Sequence, residues 1–132
     1  MYFSLFLVVV VAVLSYLSYH WETNEEFHVH TTGVVLITGA STGIGYDAAV
    51  HIAQNHEFHV FAGVRKDADM DRINELGISN LHPIQLDVTN SQQIEDSVTQ
   101  ITQFCTDNKL EFVGLVNNAG IGWGLPFELG IL

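Results

Sequence analysis

The stretch that most constrains this chain is Val34-Val35-Leu36-Ile37-Thr38 followed by Gly39-Ala40-Ser41-Thr42-Gly43-Ile44-Gly45. A short, unbroken β-branched run reads as a strand buried on both faces. The glycines then make a turn, and a helical pattern begins inside it. Ile44, Ala48 and Ile52 recur at steps of four, with Ala49 and Ala53 beside them. Each glycine has a physical use at such a turn. Gly39 permits the sharp exit from the strand, Gly43 lets backbone approach a pyrophosphate, and Gly45 lets the helix pack closely on the sheet. The helix start offers unpaired N–H groups and the positive end of its dipole to an anion. That local field matters here, because 4 Lys+Arg stand against 15 Asp+Glu and the net charge of −11 repels anions at long range. The hydroxyls of Ser41 and Thr42 can add hydrogen bonds.

Downstream the alternation continues. Residues 58–64 read as a second strand, 69–76 as a short helix stopped by Gly77, and 81–86 as a third strand that Pro83 places at an edge. Thr89-x-x-Gln92 fits a capping box, and behind it Ile94, Val98, Ile101 and Cys105 mark an amphipathic helix with Cys105 as a core thiol. Phe112–Val116 is the fourth strand, leading into Asn117-Asn118-Ala119-Gly120. The order β-α-β-α-β-α-β predicts a Rossmann-type, doubly wound parallel sheet over residues 33–132.

Composition removes some functions. One cysteine, Cys105, leaves no intrachain disulfide framework and no cysteine-based zinc site. His28 and His30 form an H-x-H pair without further ligands nearby in sequence, so no metal site is expected. Arg65, Lys66, Arg72 and Lys109 are the whole basic complement, too little for a nucleic-acid partner. The cofactor type is legible at the end of the second strand. A fold of this kind that takes NAD places an acid about 20 residues after the glycine turn, to hold the ribose 2′-hydroxyl. Counting on from Gly45, that position holds Arg65, followed by Lys66. A guanidinium there pairs with a 2′-phosphate, which favours NADP, with NAD as the alternative if Asp67 takes the acid's role.

Three motifs together carry a family resemblance. Thr38 to Gly45 matches T-G-x-x-x-G-x-G, Asp87-Val88 follows the third strand, and Asn117-Asn118-Ala119-Gly120 follows the fourth. In this order they resemble the N-terminal half of short-chain dehydrogenases/reductases, over residues 33–132. The resemblance implies an oxidoreductase that interconverts a hydroxyl and a carbonyl with NADP(H). It implies that Ser41 and Ile44 touch the pyrophosphate and that Arg65 takes the 2′-phosphate. Asp87 and Val88 would flank the adenine, and Asn117, Ala119 and Gly120 the adenosine ribose. Asn117 and Asn118 have a structural alternative, tying neighbouring strands together. The family's catalytic serine and Tyr-x-x-x-Lys have no counterpart: none of Tyr2, Tyr16, Tyr19 and Tyr46 is followed four positions on by lysine. No catalytic residue is therefore assigned. The expectation is a truncated chain, inactive as it stands and with its fourth strand left as a raw edge. A non-catalytic nucleotide-binding module is the alternative.

The first nineteen residues carry no charged side chain, and as helix they would span roughly 28 Å, close to a bilayer core. Tyr16, Tyr19 and Trp21 cluster at the far end, as aromatic rings do at a membrane interface. Residues 1–20 are expected to be a transmembrane anchor and 21–32 a polar linker. A cleaved signal peptide is the rival, with Val13-Leu14-Ser15 as a cleavage pattern but no Lys or Arg ahead of it. A buried core helix is the third reading. The anchor implies a single-pass membrane protein, of the endoplasmic reticulum, acting on a lipophilic substrate such as a steroid, retinoid or fatty-acyl carbonyl. A full-length form could oligomerise.

Overall fold

A computed structural model describes residues 9–18 and 29–121. The β-branched runs are strands and the periodic runs between them are helices. Residues 9–18 are helical (α1). Then come β1 (Thr32–Thr38), α2 (Gly43–Asn55), β2 (Glu57–Val64), α3 (Asp67–Asn74), β3 (Leu81–Gln85), α4 (Ser91–Asn108) and β4 (Phe112–Val116). The four strands form one sheet in the order β3-β2-β1-β4, and every neighbouring pair is parallel. Among the described residues β3 pairs only with β2, so Pro83 sits on an edge strand as expected, where its missing N–H costs least.

Helices cover both faces. On one, Ile37, Val60, Ala62 and Val64 of the sheet pack with Ala49 and Ala53 of α2 and Ile73 of α3. On the other, Val34, Phe61 and Ile84 pack with Ile101 of α4. The doubly wound arrangement follows from the crossover rule: parallel strands need a helix between them, and a twisted sheet takes helices on both sides.

Three local expectations need correction. The buried stripe of α2 is Gly45, Ala49 and Ala53; Ala49 and Ala53 were expected there, but Ala48 and Ile52 pack only at the margin of that core and Ile44 does not. Ile44 is 82% exposed, because the first turn of α2 points it off the rim of the sheet. Next, the cap of α4 is Asn90 and not Thr89. The Asn90 side chain accepts from the N–H groups of Gln92 and Gln93, while the Thr89 hydroxyl donates to Asp87 instead. Finally, Ile94 and Val98 are not core. The close contact of α4 with the sheet is made by Ser97, buried at 2% exposure, whose hydroxyl donates to the Gln93 carbonyl at 2.7 Å. A small, internally satisfied side chain brings the helix near. Ile94 and Val98 line an apolar cleft of about 540 Å³ with Leu36, Leu86 and Leu115. Leu115 on β4 is 52% exposed, so that flank of the sheet is open among the described residues. Cys105 is half-buried beside Ile101, and burial pushes its thiol up, which keeps it protonated.

Of the N-terminal segment, α1 exposes Val9, Val11, Leu14 and Leu17 by half or more, so among the described residues these side chains meet no core. Among the described residues no helix is long and apolar enough to cross a membrane. The rest of the expected anchor, and most of the expected linker, lies outside the described residues.

Beneath α4 lies a cluster of rings. Nδ1 of His59 and Nε2 of His82 stand 3.1 Å apart, and Phe104 of α4 packs within 5.2 Å of the His59 ring. One shared proton satisfies both nitrogens, whereas a second sets donor against donor. Burial, and then the neighbouring His59, lower the His82 pKa below its ordinary value. Above the ordinary histidine range both folded and unfolded chains hold His82 neutral. As pH falls through that range the unfolded chain takes the proton first, so stability is lost until the lowered native pKa is reached. Urea midpoints should therefore drop between about pH 7.5 and pH 5.5. The drop should be smaller in His82→Gln than in the unaltered chain.

Candidate functional site

In open parallel sheets, ligands bind outside the carboxyl ends of the strands, where the strand order reverses. Here that point lies between β1 and β4, which flank one another although β2 and β3 intervene in sequence. The glycine turn, residues 65–66, Asp87-Val88 and residues 117–120 all leave this same end of the sheet.

The turn after β1 is held from outside. The Thr38 hydroxyl, 5% exposed, accepts from the N–H groups of Asn118 at 3.1 Å and Ala119 at 3.0 Å, and donates to the Val116 carbonyl at 3.3 Å. The Asn118 side-chain amide donates to the carbonyls of Thr38 at 3.0 Å and Gly39 at 3.1 Å. The turn is thus stitched to the loop after β4. The stitching explains two glycines. Gly39 has φ +68, and a Cβ there would stand 2.7 Å from the Ala119 Cα. A Cβ on Gly45 would strike the Asn118 side-chain amide and lie 2.6 Å from the Gly39 carbonyl. Gly45 therefore admits Asn118, and through it the loop after β4, rather than a sheet strand. Of the two readings for Asn118, the structural one is what the bonds show.

The start of α2 is built to receive an anion. Its cap residue, Thr42, is extended and makes no side-chain cap hydrogen bond, and the first turn holds no acid. The leading N–H groups are thus left for a ligand. Gly43, at φ +61, has nothing within 4 Å of where a Cβ would be, so there is space at the turn. These residues fit a bound diphosphate. The Ala40 N–H donates to the Gly63 carbonyl at 2.9 Å and thereby ties this turn to β2.

Around it stand the other expected residues. Arg65 is exposed directly after β2. Asp67 opens α3, where its charge meets the positive end of that helix. Asp87 accepts from the Thr89 hydroxyl at 2.7 Å and the Thr89 N–H at 2.9 Å. These bonds, with a lesser pull from Arg65, hold its carboxyl below the usual range. Ala119 touches the glycine turn, and Gly120 is exposed beyond it. Val88 and Asn117 sit apart from the turn's contacts, lining the apolar cleft on the α4 side.

Sequence reasoning passed over two groups. Thr38 looked like the last strand residue, though a hydroxyl ending an apolar run is a signal in itself. Arg72 was counted only among the four cations, yet it donates to the Ser41 carbonyl inside the glycine turn.

The profile of the short chain dehydrogenase family matches residues 33–129. The chain belongs to the short-chain dehydrogenase family. It is 41% identical over 95 residues to a 3-amino-tetrahydro-pyrrolizinone reductase of Xenorhabdus hominickii, a match covering 72% of this chain and 31% of that protein. With estradiol 17-beta-dehydrogenase 2 of Mus musculus it shares 32% over 127 residues, covering 95% of this chain and 32% of that one. A short chain dehydrogenase from Bacillus anthracis superposes with a TM-score of 0.58 at 29% identity, covering 73% of this chain and 39% of the other. The chain thus spans about a third of the length of the curated relatives it matches. Family membership carries use of a nicotinamide dinucleotide in general and supports an oxidoreductase.

Alanine for glycine inside a helix ordinarily stabilises by up to about 1 kcal/mol. Gly45→Ala should do the reverse, costing about 1–3 kcal/mol in urea denaturation, because Asn118 and the Gly39 carbonyl occupy the space.

Proposed function

We propose that this chain is the cofactor-binding part of an NADP(H)-dependent oxidoreductase that interconverts a hydroxyl and a carbonyl on a lipophilic molecule. The observation that carries the reading is the uncapped, acid-free start of α2 beside a turn with open space. When bound, the nicotinamide supplies the hydride. What these residues do is hold and orient. The N–H groups of the first turn of α2 take the diphosphate, with Ser41 and Ile44 at its side. Asp87 and Val88 bracket the adenine, and Asn117, Ala119 and Gly120 line the adenosine ribose. Arg65 pairs with a 2′-phosphate in place of the acid that would hold a 2′-hydroxyl. Two facts support NADP over NAD: Arg65 is exposed at the required place, and Asp67 is spent on opening α3.

Proton transfer in this family needs a Tyr-x-x-x-Lys with a serine beside it, and no tyrosine of the 132 residues is followed four positions on by lysine. We assign the full activity to a protein that also supplies those groups. The lipophilic substrate and a membrane address rest on the uncharged segment 1–19 and on the exposed apolar side chains of α1. The mouse relative named for estradiol, matched over 95% of this chain, supports the lipophilic substrate alone.

Arg65→Asp should weaken NADPH binding at least tenfold, about 1.4 kcal/mol, and leave NADH binding little changed or tighter. Titration of nicotinamide fluorescence on the full chain measures both. Equal losses, or none, would overturn the NADP assignment.

A further inference from the structure

We infer that Arg72 is a specificity-determining residue of the cofactor site, a second guanidinium for the 2′-phosphate, delivered from α3. The inference rests on the NADP reading and deepens it.

Three contacts fix the side chain. Nη2 donates to the Ser41 carbonyl in the glycine turn. The guanidinium carbon lies 5.5 Å from the centroid of the Tyr46 ring. Asp69 Oδ1 is 3.3 Å from Nη2. A lone surface arginine does not hold one geometry without such partners, since ordering it costs side-chain entropy. Yet Arg72 remains 45% exposed. Both polar contacts use Nη2, so among the described residues the Nη1 and Nε donors of the five-donor fork are left over. With Tyr46 covering its face, the guanidinium keeps its donor edge for a ligand.

The position suits a ribose phosphate. The turn at 39–42 and residues 65–66 leave adjacent parallel strands, and the Ala40 to Gly63 bond holds them together. The ribose of a dinucleotide seated on the glycine turn lies against the end of β2. Arg65 stands at that end, and Arg72 closes the gap between α3 and Ser41. A 2′-phosphate there meets one guanidinium from each side, with Asp69 tempering the nearer charge.

Calorimetric titration of the full chain with adenosine 2′,5′-bisphosphate and with AMP tests this. Arg72→Gln should weaken the bisphosphate at least tenfold and AMP less than threefold, and Arg72→Lys should lie between. Asp69→Asn, which frees the charge, should tighten the bisphosphate and leave AMP unchanged. Equal losses for both nucleotides in Arg72→Gln would make Arg72 a brace of the turn and overturn the inference, as would no loss. If Arg72→Gln fails to fold, Asp69→Asn decides: no tightening refutes it. An unaltered chain that binds neither nucleotide sinks the cofactor reading itself. One that binds the bisphosphate regardless of residue 72 sinks only the role of Arg72.

Discussion

The site depends on the bonds that Thr38 and Asn118 exchange across the ends of β1 and β4. A turn made largely of glycine and small residues cannot hold its own shape, because glycine loses more conformational freedom on ordering than any other residue. Here a buried hydroxyl and an amide from a loop some eighty residues away do that work. Gly39 and Gly45 follow from them: each is small because Ala119 or Asn118 already fills the place of its side chain. The turn, the start of α2 and the loop after β4 are therefore one unit, and β1 at the centre of the sheet is what joins them.

The second constraint is electrostatic. In the proposed reading a chain of net charge −11 seats a diphosphate, so attraction must come from short-range, oriented groups. The three helices of the sheet domain differ in the needed way. α4 is capped by the Asn90 side chain, and α3 opens with Asp67 and Asp69 in its first turn. α2 has neither. The start of α4 is capped by a side chain, that of α3 is offset by two carboxylates, and that of α2, at the point where the strand order reverses, has neither. In the proposed reading Arg65 and Arg72 add full charges at the ribose end of that site.

The two faces of the sheet are unequally finished. Alanines of α2 and Ile73 of α3 fill one face closely. On the other, α4 touches through Ser97 and Ile101, and an apolar cleft runs beside β4.

The element order, the parallel sheet, the edge position of β3 and the glycine turn were legible in the sequence. Each is encoded within a few residues: β-branched runs, helical spacing, a proline, a strand running directly into glycines. The site motifs were legible for the same reason. Contacts between distant residues were not. That Ser97 rather than Ile94 meets the sheet, that α2 packs on Gly45 and its successors, and that Arg72 reaches Ser41 all depend on which strands become neighbours and how close each helix settles. Spacing along a chain states which side chains share a face; only packing in three dimensions decides which face is buried, and against what.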